Sequence, residues 1–210
     1  TYTMPGLYRV LSGMDPRLAR YNIVPPGASE AFFFPYTNEK RREESLIRVL
    51  SEHLFNADPG ENTFGRLENP DLPPIFSMAR VDKIKNLSGL VEIFGKHPNL
   101  RQVSNLIIVS SLIDADQSED MEEIGEIHRI YDLVREYGLE GHFRWWGMRL
   151  NKVENGEIYR IMAERRGVFA QPALMETFGL TIVEAMISGL PVVVTCYGGP
   201  SEIVIPEQSG

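Results

Sequence analysis

The chain has 210 residues, 43 % apolar and 24 % charged, a composition that fits an ordinary globular protein of one large domain or one and a half small ones. Its net charge of −8 excludes a general polyanion or nucleic-acid binder, so any phosphate binding is expected to be local. A single cysteine, Cys196, excludes an internal disulfide and a thiolate metal cage and suits a reducing cytoplasm.

Residues 1–15 lack the segments of a signal peptide, and no apolar run nears the roughly 18–20 residues that span a bilayer. Thr1 is not an initiator and Gly210 follows a turn, so both ends are expected to be cut from something larger. Residues 21–24 are a short β-favouring run closed by Pro25, Pro26 and Gly27. Residues 39–54 read as a helix, with Leu46, Leu50 and Leu54 spaced by four. Residues 56–74 are polar and rich in Pro and Gly, and are expected to be a surface excursion without regular structure.

From there the pattern alternates regularly. Strands are predicted at 75–78, 105–110, 142–146, 167–171 and 191–196. Helices are predicted at 87–94, 155–162, 180–188 and from 201. A further long helix, ending at Gly138, has Met121, Ile124, Ile127, Ile130, Val134 and Tyr137 along one face. Apolar strands alternating with helices predict an α/β fold, a doubly wound parallel sheet of the Rossmann-like kind. If the five strands follow the common 3-2-1-4-5 order, the first and fourth are neighbours where the winding reverses. Ligands bind outside the carboxyl ends of the strands at such a point.

Two loops converge there. The loop after the first strand, in SMARVDKIKN (77–86), carries Arg80 and Lys85, a fork and a mobile point charge suited to a diphosphate. The same residues would also make an ordinary solvated basic turn. The loop after the fourth, in QPALMETFGLTIVE (171–184), carries Glu176 and Phe178, Gly179, Leu180 and Thr181. The helix start at Gly179-Leu180-Thr181 would present free N–H groups to a phosphate, with Thr181 as hydroxyl donor or cap. Glu176 would accept from sugar hydroxyls or simply complement the helix dipole. Glu184 lies among Ile182, Val183, Ala185 and Met186, where a carboxylate needs a partner: a ribose diol or a structural ion pair.

Other signals are read as structural. Asp114-Ala115-Asp116 precedes a helix whose expected cap is Asp116 or Ser118, and the acidic run 119–126 reads as a solvated face. The four histidines are scattered without ligand spacing, so no metal site is expected. Trp145-Trp146 reads as core. The lack of a G-x-G-x-x-G after a strand, and of a Walker loop, argues against dehydrogenases and P-loop enzymes.

Three runs carry a resemblance to a known family: YNIVPPGASEAFFFPYT (21–37), FSMARVDKIKNLSGLVEIFGK (76–96) and the segment from NGEIYRIMAERRG (155–167) through ALMETFGLTIVEAM to YGGPSEIV. Together they resemble the sucrose synthases of bacterial type, retaining glycosyltransferases built from two Rossmann-like halves (the GT-B arrangement). The resemblance implies that residues 21–210 form most of the C-terminal, donor-nucleotide half and that 1–20 arrive from the N-terminal half. It also implies the reaction sucrose + NDP ⇌ NDP-glucose + fructose, with UDP- or ADP-glucose as substrate and no cofactor or metal. Matched by position, Arg80 and Lys85 bind the diphosphate and act with Glu176 in catalysis. Glu176 and the backbone of Phe178, Gly179 and Leu180 match the glucosyl-binding positions, Thr181 is counted among the substrate-binding residues, Glu184 holds the ribose, and Asn155 lies near the nucleoside. Arg149 stands where plant members carry Gln near the base, and Ser110-Ser111 replaces the usual Gly-Gly after the second strand. The resemblance further implies a cytoplasmic protein, a homo-oligomer (tetramer) at full length, with no membrane or nucleic-acid partner. It puts the acceptor site in the other half, so the isolated segment should bind nucleotide weakly and turn nothing over. The rival readings are sucrose-phosphate synthase or another retaining GT-B enzyme, and a non-catalytic nucleotide-sugar-binding domain.

Overall fold

In the computed structural model, which describes residues 29–205, six strands form one sheet. They are β1 (Thr63–Phe64), β2 (Pro74–Met78), β3 (Asn105–Ser110), β4 (Phe143–Gly147), β5 (Val168–Gln171) and β6 (Val192–Val194). Their order is β1-β4-β3-β2-β5-β6. All adjacent pairs are parallel except β1 with β4. The five strands read from the sequence thus adopt the expected 3-2-1-4-5 order, and the winding reverses between β2 and β5.

The helices are α1 (Glu44–Ser51), α2 (Leu87–Lys96), α3 (Pro98–Val103), α4 (Met121–Glu136), α5 (Lys152–Glu164), α6 (Leu180–Ser188) and α7 (Pro200–Ile203). The sheet is covered on both faces, which is why most of its strand residues are apolar. In β3 all six residues are buried. Leu106 and Ile108 pack towards α2 and α4 with Leu90, Phe94, Ile127 and Ile130. Ile107 and Val109 pack on the other side with Leu54, Ile158, Met162 and Ile182. Each such side chain contributes about 1.5–3 kcal/mol on burial. Trp145 and Trp146 fall on opposite faces and are both core, as read from the sequence.

Several expectations are corrected. The 56–74 excursion is not structureless: Thr63 and Phe64 pair with Trp146 and Trp145 as an antiparallel edge strand, and Leu67 is buried beside Gly141 and His142. Two residues are too few to display a period of two, but Phe64 meets Tyr131 edge-on at 4.6 Å. The 39–54 helix is broken: a 3-10 turn (Glu39–Arg41) precedes an extended Arg42, and a π turn (Glu52–Asn56) follows α1. Arg42 leaves the helical path because its guanidinium turns inward to Glu157. Met121 is 79 % exposed, since it occupies the first helical position, outside the buried stripe.

The cap of α4 is Asp120, not Asp116 or Ser118; Asp114 instead caps a separate 3-10 turn (Ala115–Gln117). Glu126 departs from the solvated acidic face: it is buried and accepts a 2.6 Å hydrogen bond from Ser88. Asn155 does not open α5, because Asn151 and Glu154 form a capping box three residues earlier. Strand β6 is shorter than predicted at both ends, and α7 starts one residue early and ends two early. The predicted run at 21–24 and its turn lie outside the described residues. Among the described residues no helix is long and apolar enough to cross a membrane.

Candidate functional site at the β2–β5 switch point

The two loops chosen by topology are stitched together. The Leu174 amide donates to the Ile84 carbonyl at 2.8 Å, and Asn86 Nδ2 donates to the Pro172 carbonyl at 3.0 Å. Asn86 holds this position in a left-handed conformation at the start of α2, φ 55°. A third loop, after β6, backs the second one: Glu176 N–H bonds to the Tyr197 carbonyl at 3.2 Å and Gly199 N–H to the Glu176 carbonyl at 2.9 Å. A side chain at Gly198 (φ 94°) would run into the Glu176 backbone, so this close approach requires glycine.

On this frame Lys85 Nζ meets Glu176 Oε2 at 2.7 Å. The same oxygen accepts Gln171 Nε2 at 2.9 Å, while Oε1 accepts a long bond from the Phe178 amide at 3.4 Å. Burial raises the Glu176 carboxyl, but the Lys85 hydrogen bond and charge, with the Phe178 and Thr177 amides, outweigh it and hold the group below its ordinary range. Glu176 is therefore an anion at neutral pH. Arg80 is different: its side chain is 77 % exposed, and among the described residues its one ion-pair partner is Asp82, at 3.3 Å. A cavity of about 270 Å³ is lined by Ser77, Arg80, Lys85, Gln171, Pro172 and Thr181, with Glu176 bonded to two of its walls through Lys85 and Gln171.

Gly179 is the N-cap of α6, at φ 99°, with no side-chain cap. Thr181 is therefore not the cap; it stands in the first turn and lines the cavity. The Ile182 and Val183 amides reach the Gly179 carbonyl, and among the described residues the Leu180 and Thr181 amides have no acceptor, which leaves them for solvent or a ligand. Glu184, three residues after Thr181, shares its helix face. Its carboxylate reaches towards α5, where Tyr159 O–H donates to Oε2 at 3.5 Å. Burial pushes Glu184 up to about 7, against the opposing pull of the Lys152 charge and the Tyr159 hydroxyl. Tyr159, itself enclosed, is raised well above its ordinary value by burial and by Glu184. The Lys152 ammonium is buried without a hydrogen-bond partner. No ion pair joins Glu184 to a cation among the described residues, so the structural ion pair is not what satisfies it.

The remaining predicted residues sit further along the same edge of the sheet. Asn155 is in the first turns of α5, partly buried. Arg149 lines a separate cavity of about 670 Å³ beyond β3 and β4, with Ser111, Gln117 and Glu123. Ser110 accounts for the missing Gly-Gly: its hydroxyl accepts from the Trp145 indole at 2.9 Å and donates to the Leu112 carbonyl at 2.7 Å. Sequence reasoning overlooked Gln171, Asn86 and the Gly198-Gly199 pair. Only the glycine pair had a visible signal, a Tyr-Gly-Gly-Pro turn directly after a strand. Among the described residues no group of three or more His, Cys, Asp or Glu could hold a metal ion.

A family profile described as "Glycosyl transferases group 1" matches residues 58–210, the whole sheet and both loops of the site. The chain belongs to the group 1 glycosyl transferases. A second profile, "Sucrose synthase first GT-B domain", matches residues 1–55 of this group 1 chain. The chain is 47 % identical over 209 residues to sucrose synthase 2 of Arabidopsis thaliana. It is 48 % identical over 210 residues to sucrose synthase of Thermosynechococcus vestitus, and 48 % over 209 to that of Nitrosomonas europaea. In each case all of this chain is covered but only 26 % of the relative. Its fold is that of the C-terminal domain of a group 1 glycosyl transferase from Francisella tularensis. The TM-score is 0.58 at 16 % identity, covering 85 % of this chain and 75 % of that one.

Proposed function

We propose that the chain is the nucleotide-sugar-binding part of a sucrose synthase, whose full-length protein transfers glucose reversibly between sucrose and a nucleoside diphosphate, releasing fructose. The observation that carries this reading is the Lys85–Glu176 pair at the switch point, in a chain nearly half identical to named sucrose synthases. Two cations, Arg80 and Lys85, stand at one rim beside the carboxylate Glu176, a combination that fits a glucosyl diphosphate. Arg80 and Lys85, with the first amides of α6 after Gly179 and Leu180, would neutralise the diphosphate as it departs. Developing charge on a leaving group is where preorganised donors have their largest effect.

Glu176 Oε1 and the backbone at Phe178 would take hydroxyls of the glucosyl group, and Thr181 would add a hydroxyl contact to the phosphate. Glu184 would accept from the ribose diol, with Asn155 and Arg149 bordering the nucleoside and its base. In this reading Arg80 and Lys85 carry the electrostatic role and the reaction proceeds without metal or cofactor, so turnover should survive EDTA. Which of UDP and ADP is preferred turns on Arg149, a long cation where an amide would read an edge of uracil. The full-length protein is read as a cytoplasmic homo-oligomer, a state that sedimentation measures directly.

The experiment is an assay of the complete protein with UDP or ADP and sucrose, following fructose release, with fructose and fructose 6-phosphate compared as acceptors in reverse. Nucleotide-dependent release of fructose is expected. Selective use of fructose 6-phosphate would move the protein to sucrose-phosphate synthase, and nucleotide binding without turnover would make it a sensor. The isolated chain should bind nucleotide weakly in calorimetry and turn nothing over.

A further inference from the structure

The last residue of β5, Gln171, is buried to 6 % exposure at the floor of the cavity, yet only half of its amide is used. Nε2 donates to Glu176 Oε2 at 2.9 Å, and Oε1 is buried with no hydrogen-bond partner. The orientation is dictated by chemistry. Glu176, kept ionised by Lys85, can only accept, so the amide nitrogen must face it and the carbonyl must point away. A half-satisfied buried amide weakens a fold, and a leucine or methionine of similar volume would fill the same space without that cost. Stability therefore does not account for glutamine here.

Its single bond has a specific consequence at Glu176. Both short hydrogen bonds, from Lys85 Nζ and Gln171 Nε2, fall on Oε2. Oε1 is left with the long contact to the Phe178 amide. We infer that Gln171 is a positioning residue: together with Lys85 it anchors Oε2, locks the carboxylate plane, and reserves Oε1 as the acceptor for one hydroxyl of the transferred sugar. Lys85 is a mobile point charge on a flexible stem and the Phe178 amide bond is long, so neither fixes the carboxylate plane tightly; a short, directional donor from a rigid strand does. This deepens the proposed function and rests on it.

The test uses the complete enzyme. Gln171→Leu should lower kcat 10- to 100-fold while KM for the nucleotide changes less than about 2-fold and the melting temperature stays level or rises. Gln171→Met should behave alike, which covers the chance that one variant packs badly. Gln171→Glu supplies the discriminating readout. Above neutral pH it sets a second anion beside Glu176 and should lose as much activity as the leucine variant. As pH falls its carboxyl protonates and can again donate, so its kcat relative to wild type should climb several-fold between pH 8 and pH 6. A wild-type kcat in Gln171→Leu would overturn the inference. So would a loss accompanied by a fallen melting temperature and no recovery of Gln171→Glu at low pH, the pattern of a merely structural residue. Failure of the underlying reading looks different: the wild-type enzyme would transfer no glucose, or Glu176→Gln would retain full turnover.

Discussion

Two charged clusters in this molecule are built by opposite rules. Beneath α5, Glu157 is 1 % exposed, and both its oxygens are taken: Oε1 by Arg42 at 2.8 Å and Oε2 by Arg160 at 2.7 Å. Arg42 goes on to Glu164, and Arg160 to the Phe32 carbonyl while lying 3.8 Å from the Phe34 ring centroid. At the switch point, by contrast, Arg80 stands in solvent, the Lys152 ammonium and the Gln171 carbonyl are buried unpartnered, and Glu184 holds its proton up to about 7. The first cluster is complete in itself, as a structural network must be to offset desolvation. The second is unfinished, and unfinished polar groups at the carboxyl ends of parallel strands are what a ligand completes.

The largest effect expected from this contrast is on folding. Glu157→Leu strands two buried guanidinium groups and should cost about 3–5 kcal/mol, read as a fall in denaturation midpoint. A change below 1 kcal/mol would mean that the network is ornamental and the contrast false. Next comes Lys85→Ala in the complete enzyme, expected to lower turnover on the order of 100- to 1,000-fold. It should lose far less stability than Glu157→Leu, since the Lys85–Glu176 pair is partly exposed. Arg80→Ala should give a comparable loss of rate with a stability change within about 0.5 kcal/mol, because that side chain touches little.

Gly198→Ala tests whether the third loop supports the site. It forces a β-carbon into a left-handed backbone position against Glu176, and should destabilise by about 1–3 kcal/mol while displacing Glu176. Equal stability and turnover would remove the β6 loop from the site's framework.

The smallest effect is a dependence on pH. A folded-state value of about 7 for Glu184, above its ordinary 4.5, means that the folded chain binds this proton more tightly than the unfolded chain. The stability it contributes is full below about 4.5 and is lost as pH rises through about 7. Glu184→Gln should therefore raise the melting point by a few degrees at pH 8 and leave it unchanged at pH 4. If the charged carboxylate accepts the ribose hydroxyls, nucleotide affinity has the opposite sense and weakens as pH drops below 7. The glutamine variant should lose that dependence. Calorimetry at pH 6 and pH 8 measures both.

Much of the architecture was legible in the residues. The apolar runs at 75–78, 105–110 and 167–171 place strands within a residue or two of their ends, and their alternation with helices gives the parallel α/β class, within which the assumed 3-2-1-4-5 order is the one observed. The two site loops could be picked from topology and charge together. The edge strand at Thr63–Phe64 could not, because its identity lies in Phe64 packing on Tyr131 and Phe143, not in any local period. Glu126 was misread for a related reason: a helix face that is acidic over most of its length still buries the one position opposite Ser88.

By itself the sequence determined the class of fold, the positions of most strands and helices, and two charge-bearing loops, since periodicity and turn residues are local quantities; the strand order came from the tertiary structure. Only the tertiary structure decided which charges complete one another. Arg42 and Glu157 are 115 positions apart, and Lys85 and Glu176 are 91. It also decided which oxygen of Glu176 is held, because hydrogen bonds are directional, fall off within a fraction of an ångström, and are fixed only when distant strands bring donor and acceptor face to face.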